Sequence, residues 1–226
     1  SLVLEMKRLF AIQQVQFTDM CFTRSHDEEN VPWLANLLSS DLHVNLGRKF
    51  LIPLNNDLKV IEAGIRKNYR REIRKSFSEH MISVMDNQNY DKELFFQFRE
   101  LHKISSGGKS RRSSVTWQIM EKALKAGSAF LVTAKDINNQ EFRGGSFIFT
   151  SPIEALYGIG AYDRDHFNIP IAHGCIWTAI CNAKLKGTNY FNLGFDNSFE
   201  RSKGDVDKLK HIAFFKSGFC AESYLN

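Results

Sequence analysis

Polar side chains cluster near the C-terminal end of the chain, directly after the apolar run Tyr190 to Gly194, which predicts a short buried strand. Asp196 is the first of them, and the stretch up to Asp207 carries more charge than a connection needs. In α/β proteins, ligands usually bind in the loop that follows the carboxyl end of a strand. The stretch is therefore a candidate binding site, although charge runs are as often plain solvent-exposed surface.

A second group of candidate residues follows Gly107-Gly-Lys-Ser110, which resembles a phosphate-binding P-loop only in part. The P-loop signature requires a glycine five residues before Gly108, where this chain has Lys103, and a strand upstream, where this chain has a helical pattern. We therefore expect a flexible turn whose Lys109, Arg111 and Arg112 could contact an anion.

A basic segment lies between residues 57 and 77. Its apolar residues recur every four positions and predict one continuous amphipathic helix, which Asn55, Asn56 or Asp57 can cap. They are Ile61, Ile65, Tyr69, Ile73 and Phe77. Six basic residues accompany them: Arg66, Lys67, Arg70, Arg71, Arg74 and Lys75. Such a face suits a phosphate or RNA backbone, or it is a solvated face whose side-chain stems cover the core edge.

Several chemistries are not expected. The chain has no H-E-x-x-H or G-x-S-x-G motif, and His166 and His173 are spaced too far apart to predict a metal pair. The four cysteines lack C-x-x-C spacing, which favours reduced, mostly buried thiols and a cytoplasmic address. No apolar run reaches the roughly 20 residues of a membrane span. The net charge of +5 favours anionic partners.

The elements that must position these residues alternate between strands and helices. Gly158 and Gly160 lie inside one predicted strand and indicate a β-bulge or a close backbone approach. Pro53 places the first strand at a sheet edge or at its own end. Beyond two β-rich runs before Arg24, the predicted strands are 49–54, 81–85, 129–134, 145–150, 154–162 and 190–194, and the predicted helices are 91–104, 114–126, 171–185 and one ending at Gly218.

From about Phe50 to Glu222 the chain resembles the GNAT-like Fem family of peptidoglycan-bridge aminoacyltransferases and the related BioF-like acyltransferases. The resemblance rests on the order of four features along the chain. They are the basic helix 66–75, the pair Arg111/Arg112 before the helix with Trp117, the strand 155–162 before the helix with Trp177, and Tyr190-Phe-Asn-Leu-Gly194 with Phe215-Lys-Ser-Gly-Phe219. Asn192, Phe195 and Cys220 depart from the family's usual Asp, Gly and Gly.

The resemblance implies an α/β (α+β) fold, a GNAT-like acyl-CoA N-acyltransferase fold with a mixed central sheet flanked by helices. It also implies that residues 49–226 form the transferase lobe and that residues 1–48 are the remnant of, or a truncated, first lobe. The implied reaction is transfer of an acyl or aminoacyl group from acyl-CoA or aminoacyl-tRNA to an amine. The acceptor would be a small amine, an amino sugar, a sugar nucleotide or a cell-envelope precursor, and no metal is implied.

The resemblance also implies roles for individual residues. Lys216 would contact the donor or stabilise developing charge, and Asp196 and Tyr162 would position the acceptor or handle its proton. Arg111 and Arg112 would hold phosphates. The donor would meet the backbone of the bulged strand and the residue after it: Gly158, Gly160, Ala161 and Arg164. The loop from Arg164 has only one late glycine, Gly174, which argues against pyrophosphate binding there.

Two other classes of function stay open at this point. One is a degenerate, non-catalytic lobe that binds an anionic ligand, RNA or a protein partner, which the glycine-poor loop and the short N-terminal segment favour. The other is an RNA-binding module that uses the basic helix, although the sequence lacks the aromatic stacking platform of a single-strand reader. Each cited side chain also has a structural explanation: Lys216 as a surface lysine, Tyr162 as a core-edge aromatic and Asp196 as a turn cap.

Overall fold

The computed structural model describes residues 48–108, 112–166, 168–196, 206–219 and 223–225. The predictions for residues 1–47, for Lys109 and for Arg111 lie outside the described residues. The same holds for most of the polar stretch between Asp196 and Asp207.

Within the described residues, the strands and helices follow the predicted order, except that one predicted helix is divided into two and that β7 was not predicted. The strands are β1 (Arg48–Pro53), β2 (His80–Met85), β3 (Ala129–Asp136), β4 (Phe142–Thr150), β5 (Glu154–Tyr162), β6 (Tyr190–Asp196) and β7 (Ser223–Leu225). The helices are α1 (Leu58–Gly64), α2 (Lys67–Glu79), α3 (Lys92–Ser105), α4 (Ser114–Lys125), α5 (Ile171–Leu185) and α6 (Val206–Ser217), with a short 3-10 turn at Arg164–His166.

The described strands form one mixed sheet in the order β2-β3-β4-β5-β6-β1-β7. Only β5 and β6 pair in parallel, and the other neighbours pair antiparallel. Pro53 is the last residue of β1, so its missing N–H falls at a strand end, which is one of the two positions predicted for it. This arrangement confirms the prediction of a mixed central sheet with flanking helices.

Helices cover both faces of the sheet, which explains why β3 is buried along almost its whole length. On one face, α1, α2, α5 and α6 pack over a core that includes Phe130, Ile148 and Phe191. On the other face, α3 and α4 pack over a second core centred on Phe98 and Phe147. Both faces of the central strands are therefore held by apolar burial.

The prediction of one continuous helix from Asp57 to Phe77 is wrong. Ile65 is extended and separates α1 from α2, and the N–H of Arg66 donates to the carbonyl of Gly218, 3.0 Å away, instead of continuing the helical ladder. A long-range backbone bond has thus replaced a local one. The stripe stays buried from Ile61 to Ile73, whereas Phe77 is 42% exposed.

Helix ends follow local chemistry. The carboxylate of Asp91 accepts hydrogen bonds from the N–H groups of Glu93 and Leu94 at the start of α3, and the Ser113 hydroxyl accepts from Thr116 at the start of α4. Gly127 follows α4 with a φ of +76°, the left-handed conformation in which a glycine commonly ends a helix. No helix in the described part of the chain is both long and apolar enough to cross a membrane.

Candidate functional site

The parallel strands β5 and β6 part after three residue pairs. Their register joins Glu154 to Tyr190 and ends, in the described residues, where Leu156 faces Asn192. β5 then continues to Tyr162 and β6 to Asp196, so the two strands open a cleft toward their carboxyl ends. Carboxyl ends of parallel strands are a preferred ligand position in sheets covered on both faces.

The predicted bulge lies on the β5 side of this cleft. Ile148 of β4 faces Tyr157, and the adjacent Phe147 faces Ile159, so Gly158 is the extra residue. One extra residue reverses the side-chain alternation beyond it. The side chains of Tyr157 and Tyr162 therefore lie on the same face of the sheet, although five positions separate them.

A hydroxyl network follows from the bulge. The Tyr162 hydroxyl is 2.7 Å from the Ser146 hydroxyl and 3.2 Å from the Tyr157 hydroxyl. Gly160 lies between the two tyrosines, and a Cβ there would collide with the Tyr157 hydroxyl and the Tyr162 ring. Burial raises the pKa of Tyr157 to about 12 and raises that of Tyr162 well above its usual range. Both phenols are therefore neutral and act as hydrogen-bonding groups rather than as phenolate bases.

No thiolate nucleophile accompanies this network among the described residues. Cys175 and Cys181 of α5 are free thiols, one buried and the other half-buried. Burial raises the pKa of the Cys175 thiol, which lies beside the tyrosine pair. Burial also raises the pKa of the Cys181 thiol, to about 11. Both side chains therefore stay protonated at neutral pH and behave as small apolar groups.

Asn192 lies at the last described residue pair of the β5–β6 ladder. Its buried amide donates to the Glu154 carboxylate at 3.0 Å, and its amide oxygen accepts from the N–H of Gly194 at 2.7 Å. Gly194 has a φ of +87°, a left-handed conformation that glycine adopts without steric cost. The departure from the family pattern at Asn192 is thus part of the bend that opens the cleft.

Lys216 lies on the β6 side of the cleft. Its Nζ donates to the carbonyl oxygen of Phe195 at 3.2 Å, and a Cβ on Gly194 would come within 3.2 Å of that nitrogen. Asp196 is the last residue of β6, where its backbone faces Arg48 of β1. The structure thus brings Lys216 and the end of β6 together.

Side chains hold α6, which carries Lys216, against the rest of the fold. The Arg66 guanidinium donates to the Phe214 carbonyl at 3.1 Å and to the Ser217 hydroxyl at 2.7 Å, and it lies 4.2 Å from the centre of the Phe214 ring. Arg66 of the predicted basic face is therefore a structural residue. Other members of that face, Lys67, Arg71, Arg74 and Lys75, are exposed.

Aromatic rings complete this attachment of α6. His173 of α5 packs edge-on against Tyr69 and Phe215, with ring centres 4.6 and 5.2 Å apart, and Phe219 closes the group. Burial lowers the pKa of His173 to about 4, against a smaller opposing effect of Glu72. His173 is therefore a neutral packing residue, and the described residues contain no cluster of three or more side chains that could hold a metal ion.

A cavity of about 380 Å³ lies beside the bulged strand. Gly160 and Arg164 line it together with Lys208 of α6, His102 of α3 and residues 105–107. Arg112 approaches the same strand, with its guanidinium 3.4 Å from the Gly158 carbonyl. Arg112 and Arg164, which the sequence analysis named separately, thus both lie close to the glycines of β5.

Ion pairs anchor the turn that carries Arg164. Arg143 pairs with Asp163 at 3.1 Å, and the His166 ring lies 2.8 Å from the same carboxylate. Burial alone would raise the pKa of Asp163, but hydrogen bonds from the Asp165 N–H, His166 and Arg143 outweigh it and hold that pKa below its usual range. Asp163 is therefore ionised, and its ion pair with Arg143 fixes the start of the turn that carries Arg164.

Sequence reasoning missed four residues of this region: His102, Lys208, Tyr157 and, as a determinant of the bend, Asn192. His102 and Lys208 reach the cavity only through tertiary packing, so no local pattern marks them. Tyr157 had a signal, because the glycines at 158 and 160 already indicated a bulge that would bring it beside Tyr162.

Comparisons with known proteins identify the fold. No family model and no curated protein matches the chain. Among solved structures, FemX superposes with a TM-score of 0.60 at 13% identity, over 79% of this chain and 59% of FemX. The C-terminal domain of a putative lysylphosphatidylglycerol synthetase from Agrobacterium fabrum superposes with a TM-score of 0.58 at 12% identity. The match covers 80% of this chain and 59% of that structure. L-PGS from Bacillus licheniformis superposes with a TM-score of 0.56 at 14% identity, over 80% of this chain and 60% of L-PGS.

The chain thus shares its fold with FemX and with these two other structures, in agreement with the Fem-like fold that the resemblance predicted. It spans about three fifths of the length of each of these three structures.

Proposed function

We propose that this protein is an N-acyltransferase or aminoacyltransferase that acts in the cleft between β5 and β6. The observation that supports the proposal best is the early end of the β5–β6 ladder within a Fem-like, GNAT-type fold. It leaves the bulged edge of β5 on one side of the cleft and Lys216 on the other.

The reaction requires stabilisation of negative charge. When an amine attacks the carbonyl carbon of a thioester or ester, the carbonyl oxygen becomes an oxyanion in the tetrahedral intermediate. We assign the ammonium group of Lys216 to this charge, because its bond to the Phe195 carbonyl keeps it at the β6 wall. The backbone of Gly158, Gly160 and Ala161 would hold the donor on the opposite wall.

The attacking amine must lose a proton. The raised pKa values of Tyr157 and Tyr162 argue against a phenolate base, so Tyr162, held by its bonds to Ser146 and Tyr157, is assigned to positioning of the acceptor amine. The proton of the amine would pass through solvent to the departing thiolate or alkoxide. Asp196, at the end of β6, is assigned to positioning of the acceptor amine.

Both donor classes remain in the proposal. Acyl-CoA suits the GNAT-type fold, and aminoacyl-tRNA is supported by the likeness to a putative lysylphosphatidylglycerol synthetase. The acceptor is proposed to be a small amine, an amino sugar, a sugar nucleotide or a cell-envelope precursor, and the protein is proposed to act in the cytoplasm.

Replacement of Lys216 tests the proposal. Purified chain is assayed for thiol release from acetyl-CoA and for transfer from aminoacyl-tRNA, each with a panel of amine acceptors. We expect Lys216→Ala to lower kcat about 100-fold or more, the usual cost of losing one oxyanion donor, while the melting temperature changes little. Lys210→Ala is the matched control, because Lys210 lies on the same helix with a 61% exposed side chain. Wild-type turnover in Lys216→Ala would remove the assignment.

A non-catalytic lobe that binds an anionic ligand is the second candidate. The observation that favours it is the bond from Lys216 to a carbonyl of its own chain, which is also what a structural lysine would make. In that case Lys216→Ala would lower the melting temperature, and the wild-type chain would bind ligands without transferring an acyl group.

A further inference from the structure

One side of α2 carries positive charge along the whole length of the helix. Its exposed cations are Lys67, Arg71, Arg74 and Lys75, which we call the exposed basic face. Because successive residues of an α-helix lie about 100° apart, these four fall on one side of α2. The opposite side of the helix is buried and packs against α5. The basic face is therefore a fixed part of the surface.

The charges of the exposed basic face oppose one another. Lys67, Arg71 and Lys75 follow each other at intervals of four residues, and like charges at this spacing destabilise a helix. The Arg71 guanidinium lies 3.5 Å from the carboxylate of its neighbour Glu72, but an ion pair as exposed as this one contributes little. An anionic partner would offset the repulsion that the folded chain maintains here.

Exposed apolar side chains lie where α2 ends and β2 begins. Phe77 is in the last turn of α2, and Met81, the second residue of β2, is 47% exposed. Ile137 is 50% exposed, and its N–H donates to the carbonyl of Glu79 at the end of α2, 3.1 Å away. We call Phe77, Met81 and Ile137 the apolar tip. It places apolar surface beside the basic face of the same helix.

The apolar tip lies at the end of the sheet toward which the cleft opens. Met81 of β2 faces Lys135 of β3, and the adjacent Ala134 faces Gly144 of β4. Gly144 in turn faces Tyr162, the last residue of β5. A surface that contacts the apolar tip would therefore lie on the same side of the molecule as the carboxyl end of β5.

We propose that the exposed basic face and the apolar tip dock the protein on the surface of an anionic lipid bilayer. Basic residues on a helix are attracted to the negative potential of such a surface, and neighbouring apolar side chains enter the boundary between headgroups and acyl chains. The apolar tip favours a bilayer over RNA, because a phosphodiester backbone binds cations but has no apolar interior for Phe77 and Met81. The proposal goes beyond the proposed function and does not depend on it.

Cosedimentation of the purified chain with large unilamellar vesicles measures the docking. The vesicles contain phosphatidylcholine alone or phosphatidylcholine with about 30% phosphatidylglycerol. We expect binding to the anionic vesicles to be about tenfold tighter or more, and to weaken as NaCl is raised from about 0.1 M to about 0.5 M, because salt screens the attraction.

Charge variants test the exposed basic face. Arg71→Gln/Arg74→Gln should lower the partition coefficient on anionic vesicles about tenfold or more, because each cation near such a surface contributes to binding. Lys103→Gln/Lys122→Gln is the matched control. It removes the same charge from exposed residues of α3 and α4, which cover the other face of the sheet, and should change binding less than about twofold.

The double variant Phe77→Ser/Met81→Thr tests the apolar tip. It should weaken binding to anionic vesicles about tenfold, since both side chains lose their contact with the acyl region. Ile153→Ser is the control, because Ile153 is 65% exposed in the β4–β5 turn, at the opposite end of these strands. Melting by circular dichroism checks the fold, and Ile137→Ser, in the turn after β3, replaces the double variant if that variant does not fold.

Four results overturn the proposal. They are equal binding to anionic and neutral vesicles, absence of binding to both, equal losses in the two charge variants, and unchanged binding after the apolar tip is replaced. Binding to single-stranded RNA through Arg71 and Arg74, without binding to vesicles, would assign the face to nucleic acid and also overturn it.

Failure of this proposal differs from failure of the proposed function. Vesicle binding that depends on Arg71 and Arg74, in a chain that transfers no acyl group, would keep the docking surface and remove the transferase. Acyl transfer by a chain that binds no vesicles would keep the transferase and remove the docking surface.

Discussion

The two walls of the cleft are built in different ways. β5 is paired to β4 along its length, from Thr150 opposite Ala155 to Gly144 opposite Tyr162, and apolar cores lie on both of its faces. α6, which carries Lys216 on the other wall, is attached largely through side chains, namely Arg66 and the aromatic group around His173.

This difference predicts how each wall fails. The β5 wall is held by backbone hydrogen bonds to β4, so it depends on residues that fit the conformation of the bulged strand. At β5 these residues are Gly158 and Gly160. A wall attached by side chains depends on a few long contacts, each of which can be removed without disturbing the sheet. Substitutions on the two sides should therefore lose stability and activity in different proportions.

The largest effect is expected at Gly160. A methyl group there would meet the Tyr157 hydroxyl and the Tyr162 ring, both packed against the core of the α5 face. We expect Gly160→Ala to lower the free energy of unfolding by about 3 kcal/mol, the upper part of the range for overpacked cores, and to lower transfer as the tyrosines move. Urea unfolding and the transfer assay measure the two losses.

A double-mutant cycle isolates the cause. Because the Tyr157 hydroxyl is the nearest obstacle, Gly160→Ala should cost less stability in a Tyr157→Phe background than in the wild type. Equal costs in both backgrounds would show that the bulge geometry itself, and not the tyrosine pair, requires glycine.

A smaller effect is expected at Arg66. Arg66→Ala removes two hydrogen bonds to α6 and the stacking on Phe214, which together suggest a loss of about 2 kcal/mol. Hydrogen exchange should increase in α6 while the strands β3, β4 and β5 keep their protection. Arg70→Ala is the control, because within the described part of the chain the Arg70 side chain bonds locally, to the Ala63 carbonyl. Increased exchange in the central strands would contradict the separate attachment of α6.

Much of the fold was predictable because glycine, proline and capping residues mark its boundaries. β5 and α5 begin and end where the sequence predicts, since Pro152 and Pro170 precede them and Gly187 follows α5. The division of residues 57–77 into two helices was not predictable. It involves a hydrogen bond from Arg66 to Gly218, which lies 152 positions further along the chain.

The site was predictable only in part. Two glycines in one strand indicated the bulge, which the structure has. Family resemblance pointed to Lys216, which lies beside the end of β6, and its role stays a prediction. The cavity was not predictable, because His102 and Lys208 come from helices whose relative placement depends on packing rather than on local pattern. The sequence near His102 or Lys208 therefore does not indicate that the two residues lie close together.

The smallest effect concerns the pH dependence of the α6 attachment. His173 has a pKa of about 4 in the folded chain and about 6.5 when unfolded. The unfolded chain therefore binds the proton more tightly, so stability contributed by neutral His173 is present above pH 6.5 and is lost as the pH falls toward 4. We expect this residue to account for a loss of about 1 to 2 kcal/mol between pH 6.5 and 4.5.

His173→Leu isolates this contribution from the carboxylates, which also titrate in acid. The free energy of unfolding is measured by urea between pH 7 and 4 for the wild type, His173→Leu and, as control, His211→Leu, which changes an exposed histidine of α6. The His173→Leu curve should fall less steeply than the other two, because leucine keeps the packing against Tyr69 and Phe215 but cannot take up a proton. Parallel curves for all three proteins would show that the aromatic attachment of α6 tolerates a charged imidazole, and that the α6 wall is less dependent on single side chains than its contacts indicate.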